Sequence, residues 1–505
     1  MGCVGAKDPS SSEALICRMS ESYRFSPRPR GTIIGPLALR HIVGLGLVAL
    51  FSVGLIVLLP SYVTVAIAMA VVAIMVLALW FPVLNGMTVA DLVPALLRFT
   101  WDTVTGRRDW RSPSPFAGLT DRLQVLGRVP PPLDKAGIRL LGGRDLGIVE
   151  DTKRQTWTSL LRISGQAFDL LTSEAQEALA DGWMTLLADY CRSGDYVTRL
   201  QWVTRSVPDG GEAHAAWLKS AGATTDAEYD QLLEQHSTDT MRHEFYMAVT
   251  VSLRRAADAV RGAWNLQMAR EKVLFDTLTD LADKLSSTGV SVDGYLGPAD
   301  LTAVIRRGYV PDTAERHTNE GLQLRPEQAW PTAIVAEWDY IRADDAYHAV
   351  YWVDEYPRTD VGLGFLTPLL AATGVRRTVS MILQPIDLTT SQRQAEASLV
   401  AQMSAKSERE KRGFLTTAAQ EAELTATARR EQEIAVGYGE YQFATFLVVS
   451  AFWQGHLARD CARVEALARR SKLQITRLYG QQAAGLAFSL PIGLGLKDRS
   501  RVGAL

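Results

Sequence analysis

Phe245-Tyr-Met-Ala-Val-Thr-Val-Ser-Leu253 reads as a strand, because its residues are aromatic, β-branched or small and no Gly or Pro interrupts them. Phe446-Leu-Val-Val-Ser450 echoes its Met247–Ser252 part much later in the chain. In each part of the chain this is the longest apolar strand.

Worked outward, each of these strands is the third in a β-α-β-α-β-α-β run. The first run opens with strand Trp157–Ile163 and helix Ser173–Cys191 behind a Thr172/Ser173 cap. Strand Tyr196–Val203 and a helix near Thr225–Met241 lead to the quoted strand. Helix Arg270–Leu285, strand Val290–Val292 and a helix started by Pro298 complete it. The second run has strand His348–Val353, helix Asp360–Ala372, strand Thr378–Leu383 and a long helical region, Ser391–Val436. Strand Phe443–Phe452, helix Leu457–Ser471 and strand Gln474–Leu478 close it. The expected fold is an α/β (α+β) cytoplasmic region of two ferredoxin-like split βαβ units, each a sheet with helices on one face. One continuous α/β domain is the alternative. At 1.5 Å per residue the long helical region would reach roughly 65–70 Å. Its charges cluster at Glu408-Arg-Glu-Lys-Arg412 just before Gly413, so it reads as a hairpin turning there or as a projecting arm.

Ahead of these runs, no Asp, Glu, Lys or Arg occurs between Arg40 and Asp91. The stretch divides at Pro60-Ser61 into Ile42–Leu59 and Tyr62–Leu84, each close to the ~20 apolar residues that cross a bilayer core. A break so short makes the pair a tight helical hairpin. Arg18, Arg24, Arg28, Arg30 and Arg40 precede it, and Arg98, Arg107, Arg108 and Arg111 follow it. Basic flanks on both sides place both ends in the cytoplasm. A cleaved signal peptide fits poorly, since the apolar run starts late and is followed at once by a second span. The expected organisation is a cytoplasmic tail (1–40), a transmembrane hairpin (41–86) and a juxtamembrane segment and linker (87–139). A first α/β domain (140–325), a second (326–496, with the helical insertion at 391–436) and a short tail (497–505) follow. The segment Thr88–Thr105 is amphipathic, with Leu92, Leu96, Phe99 and Trp101 beside Arg98, and suits the headgroup layer. Residues 1–18 are polar and patternless, and Met19 opens a better basic lead-in as an alternative start.

The chemistry-bearing motifs are missing. Gly-Lys never occurs, which excludes a GxxxxGK[ST] phosphate loop. Gly289-Val-Ser-Val-Asp293 misses the nucleophile elbow at its fifth residue, and His243-Glu244 lacks the second histidine of a zinc-protease helix. The pairs Asp344-Asp345 and Asp354-Glu355 put their carboxylates on opposite sides of an extended chain. Four cysteines with no CxxC do not make a structural zinc site, and the net charge of -2 argues against a nucleic-acid groove. No catalytic, cofactor-binding or metal-ligating residue is named, no cofactor is expected, and the chain is read as no enzyme.

The end of the chain carries a resemblance. Arg477-Leu-Tyr-Gly-Gln-Gln482 followed by Phe488-Ser-Leu-Pro-Ile-Gly-Leu-Gly495 resembles the close of an actinobacterial family of conjugation-associated integral membrane proteins. Tyr351-Trp-Val-Asp-Glu-Tyr-Pro-Arg358, Arg377-Thr-Val-Ser380, Gln384-Pro385, Arg429-Arg-Glu431 with Gly437, and Ser26-Pro-Arg-Pro-Arg-Gly31 match as well. That family is similar to a two-span inner-membrane type IV secretion subunit fused to the N-terminal, non-motor domain of the secretion ATPase. In the ATPase a Leu-Pro-Gly-like turn precedes the motor. Here Ser489-Leu-Pro-Ile-Gly493 departs from it by one inserted residue, and the sequence closes soon afterwards. The resemblance implies a non-catalytic scaffold of a conjugative DNA-transfer or type IV-like secretion apparatus in a bacterial inner (plasma) membrane. It would dock a separate ATPase and other inner-membrane subunits, assemble as a homo-oligomer, and bind no specific nucleic-acid sequence. A core membrane subunit of a type VII secretion system is the alternative, and a membrane-anchored enzyme a third.

Overall fold

The computed structural model describes residues 32–34, 37–38, 62, 82–84, 87–112, 129–143, 145–192, 194–208, 217–218, 220–222, 228–229, 231, 241–311, 326–357, 359, 361–411 and 418–496. Within them one thirteen-stranded sheet runs through the molecule. Its strands are β1 (Asp109–Arg111), β2 (Ile138–Gly142), β3 (Gly147–Asp151), β4 (Thr156–Gly165), β5 (Val197–Pro208), β6 (Met241–Ser252) and β7 (Val290–Tyr295), then β8 (Ala333–Ala336), β9 (Ile341–Ala343), β10 (Ala346–Glu355), β11 (Arg377–Ile386), β12 (Glu440–Ala451) and β13 (Gln474–Arg477). The order is β1-β8-β9-β10-β12-β11-β5-β6-β4-β3-β2, with β7 also on β4 and β13 also on β10. Every pairing is antiparallel. The fold is mixed α/β built on a large antiparallel sheet.

The two sequence runs take the same path. In the first, β4, β5, β6 and β7 lie side by side in the order β7-β4-β6-β5. In the second, β10, β11, β12 and β13 lie as β13-β10-β12-β11. Each run is preceded by a pair of antiparallel strands, β2-β3 and β8-β9, that extends the sheet beyond its first strand. The runs join where β11 pairs with β5, from Arg377↔Ser206 through Ser380↔Val203 to Leu383↔Leu200. Two strands that would each be a sheet edge in an isolated unit are therefore closed against one another.

Period-two alternation sorts the strand side chains to the two faces. Trp157, Leu161, Met247 and Val249 face helices α2 (Ser173–Asp189) and α3 (Leu266–Ser286). Helix α3 presents Leu274, Leu278, Leu281 and Leu285 at helical spacing, all buried. Thr172 and Asn265 cap these two helices through Ala175 N and Met268 N. In the second run Tyr351, Val353, Leu447 and Val449 meet Leu457, Cys461, Val464 and Ala468 of helix α7 (Gln454–Arg470). The opposite face is one cluster spanning both runs, from Leu160, Val203 and Ala248 to Ile382, Phe446 and Val350. Helix α4 (Pro298–Tyr309), with Pro298 in its first turn, helix α8 (Gln482–Ser489) and the following residues to Leu496 cover it.

The long helical region is two helices, α5 (Leu388–Lys411) and α6 (Ala418–Val436), packed together as a hairpin. Ser391 and Ala395 of α5 and Ile434 of α6 are buried at the base, and Val400 and Met403 further out are exposed. The stretch read as linker contributes more than expected. It holds helix α1 (Val89–Val104), then β1 at one end of the sheet and the first residues of β2 at the other. The expected hairpin at 41–86 lies outside the described residues except Tyr62 and Pro82–Leu84, of which the latter pairs with Met87–Thr88. The expected helix near 225–241 likewise lies almost wholly outside them. Among the described residues no helix is long and apolar enough to cross a membrane.

Candidate functional site

Strand β5 lies at the junction of the two runs, and its residue Gln201 meets the segment that crosses it. Gln201, buried, donates its amide to Leu490 O (2.8 Å), Phe488 O (3.2 Å) and Ser380 Oγ (2.9 Å). Its carbonyl accepts from Gly493 N (3.0 Å). Gly493 has φ +66°, and a Cβ there would stand 2.3 Å from Thr250 Oγ1 and 2.5 Å from Thr158 Oγ1. Only glycine lets the chain pass so close to that hydroxyl pair in this conformation. Gln482 accepts from Val350 N (2.7 Å), and the Phe488 ring stacks on Phe446 at 5.1 Å. The segment from Gln481 to Leu496 is thus pinned across the junction of the two runs.

Of the residues that carry the resemblance, Ser380 and Phe488–Gly495 lie at this junction and others lie elsewhere on the second run. Arg477 of β13 sits opposite Tyr351 of β10 and donates to Asp339 O (2.7 Å). Ser380 donates to Phe488 O (3.2 Å), and Arg377 is buried with its guanidinium on Leu370 O (2.6 Å). Burial, and after it Arg463, brings the Arg377 pKa down to about 10. Arg377, Ser380 and Phe488 are buried, so these three residues contribute to packing.

The densest charged cluster lies beside them. Glu244 of β6 accepts from Arg307 (2.9 Å) and Arg242 (3.2 Å), and Arg205 lies 3.7 Å away. Tyr246 donates to the same carboxylate (3.1 Å). Burial raises the Glu244 pKa, but Arg205, Arg307 and Arg242 outweigh it and hold the carboxyl below the usual range. Burial pushes the Tyr246 phenol up, and Glu244 adds to it. A carboxylate so saturated is no general base near neutral pH. Next to it His348, fully buried, takes a hydrogen bond from Ser450 Oγ (2.8 Å) on Nδ1 and donates from Nε2 to Tyr309 O (2.7 Å). Neither partner is a carboxylate that would make the ring a stronger base.

A surface depression of about 570 Å³ lies over α3, lined by Tyr190, Asp195, Tyr196, Lys272, Asp276 and Asp280 among others. Its charges are matched along the helix: Lys272 with Asp276 (2.8 Å) and Lys284 with Asp280 (2.8 Å). Asp195 accepts from Val197 N (2.7 Å), and burial raises its pKa. Cys191 and Cys461 are buried, and burial raises both thiols, which keeps them protonated and unreactive. Among the described residues no group of three His, Cys, Asp or Glu could hold a metal.

The motifs set aside from the sequence take structural places. His243 meets Ser206 Oγ (2.9 Å) from Nδ1 while Glu244 points to the opposite face, so the two never act together. Asp344, at φ +49°, accepts from Thr332 N (2.7 Å) and Ala333 N (2.8 Å) and pairs with Arg306 (3.0 Å). The Arg205–Glu244–Arg307 cluster was not legible, since its members stand on three elements far apart in the chain. No protein-family model matches the sequence, and no curated protein matches it.

Proposed function

We propose that the chain is a non-catalytic inner-membrane scaffold of a type IV-like secretion or conjugative DNA-transfer apparatus, docking a separate ATPase through its cytoplasmic body. The body consists of two ferredoxin-like units, and the 41–86 hairpin anchors it. One observation carries the reading: both runs adopt the same fourth-first-third-second strand order, and the part-buried carboxylate of Glu244 is held by arginines. A duplicated core whose Glu244 carboxylate is neutralised and whose thiols are buried offers surfaces for assembly rather than a centre for chemistry. The resemblance at Arg477–Gln482 and Phe488–Gly495 supplies the machine. Because β5 and β11 close on each other, partners meet helices and the outer strands instead of those two edges.

Affinity capture of the detergent-solubilised protein from its host tests the proposal. Recovery of a P-loop ATPase in a fixed ratio is the expected result. Recovery of the protein alone, as monomers, would overturn it and favour an enzyme. Co-recovery with small Trp-x-Gly secreted proteins would move it to type VII secretion.

A further inference from the structure

Helix α1 divides into an occupied side and an unoccupied one. Ala95 is buried against Gly480, where a Cβ would stand 2.7 Å from Trp338 and 3.3 Å from Ala95 O. Phe99 meets the Trp338 ring edge-on at 5.1 Å, and the Arg108 guanidinium lies 4.4 Å over Phe99. Arg108 donates to Ala336 O (2.7 Å) and pairs with Glu337, while Gly480 N donates to Trp338 O (2.6 Å). Phe99, expected on the lipid side from the sequence, is spent on this clamp. Leu97, Trp101 and Val104 follow each other at i, i+4 and i+7 and form the outward stripe, exposed by 65%, 63% and 84%.

What covers this stripe follows from the chain. It enters α1 directly from the long stretch without an Asp, Glu, Lys or Arg, and Asp91 is the first charge after Arg40. Arg98 is half-exposed beside the stripe and pairs with Asp102 (3.7 Å), and Arg107 and Arg111 are exposed just past the helix. An apolar stripe with a basic rim suits the headgroup–acyl boundary of an anionic bilayer.

We infer that α1 lies in that boundary with Leu97, Trp101 and Val104 in the lipid and, clamped to Trp338 and Gly480, fixes the orientation of the sheet to the membrane. The inference rests on the reading of 41–86 as a bilayer anchor. The test uses the full chain with Cys3→Ser and Cys17→Ser, reconstituted in vesicles of phosphatidylcholine and phosphatidylglycerol. An environment-sensitive fluorophore is placed on Leu97→Cys, Trp101→Cys or, as a control, Arg261→Cys, which is exposed by 80% in its side chain. The expected result is blue-shifted emission at 97 and 101, quenched several-fold more by nitroxide lipid than at 261. Equal, weak quenching at all three positions overturns the inference. Carbonate extraction of the same vesicles judges the anchor separately. A chain that resists extraction while its labels stay unquenched keeps the anchor and sinks the α1 contact. A chain that is stripped off although its labels are quenched in the vesicles does the reverse.

Discussion

At Gly493 the backbone runs at φ +66° with two threonine hydroxyls where a side chain would go, so Gly493→Ala carries both backbone strain and overlap. The variant is expected to melt well below the parent in a thermal scan, and an unchanged midpoint would contradict the geometry. Gln201 closes the same contact from the sheet side with buried amide bonds on both of its polar atoms. Gln201→Leu leaves Gly493 N without its partner and is expected to cost about 1–3 kcal/mol. His348 adds a pH dependence. Burial, with Arg205 nearby, lowers its pKa from 6.5 to about 4, against the backbone bond to Tyr309. The unfolded chain takes a proton near pH 6.5 while the folded one does not until about 4. The stability His348 supplies is complete above pH 6.5 and is lost as pH falls to 4, by about 3 kcal/mol. Melting curves from pH 7 to 4 should show a smaller fall for His348→Asn than for the parent.

The α5–α6 hairpin is buried at its base, and Val400 and Met403 further out are exposed. Ile434→Ala, at the buried base, is expected to cost about 2–5 kcal/mol. Val400→Ser with Met403→Ser, both exposed, should change stability by no more than about 0.5 kcal/mol each. If instead the exposed pair destabilises as much as the base, the hairpin packs on the body along its whole length. In α3 the stripe Leu274, Leu278, Leu281 and Leu285 was legible from spacing alone, and α1 was not. Its periodicity offers Phe99 and Trp101 as equals, and only the position of Trp338 decides that one turns in and the other out.

Across the whole molecule, the β5–β11 junction and the segment laid over it make the two runs one body. Leu486, Phe488, Leu490, Ile492 and Leu494 are each no more than 1% exposed. Burying five such side chains is worth about 8–15 kcal/mol at 1.5–3 each, comparable with the net stability of a domain. A chain cut after Gly480 is therefore expected to be insoluble or to lack a cooperative melting transition. Residues 1–325 and 326–505 made separately should fail alone and recover when co-expressed, as size-exclusion chromatography would show. Independent folding of either half would contradict the shared core.

Sequence alone determined most strands and long helices of the two runs. Apolar, β-branched runs such as Phe245–Leu253 and Phe443–Phe452 are strands wherever they pack, and Pro298, Thr172 and the leucine spacing of α3 mark helices, because these signals act within a few residues. The missing phosphate loop, metal spacing and nucleophile motifs were legible for the same reason. Tertiary structure decided how the elements add up: that strands β5 and β11 pair, that Glu244 gathers arginines from β5, β6 and α4, and that the last described residues lie on Gln201. Each of these depends on contacts between residues far apart in the chain, where side-chain shape and strand register choose the partner. Local pattern carries no information about that choice.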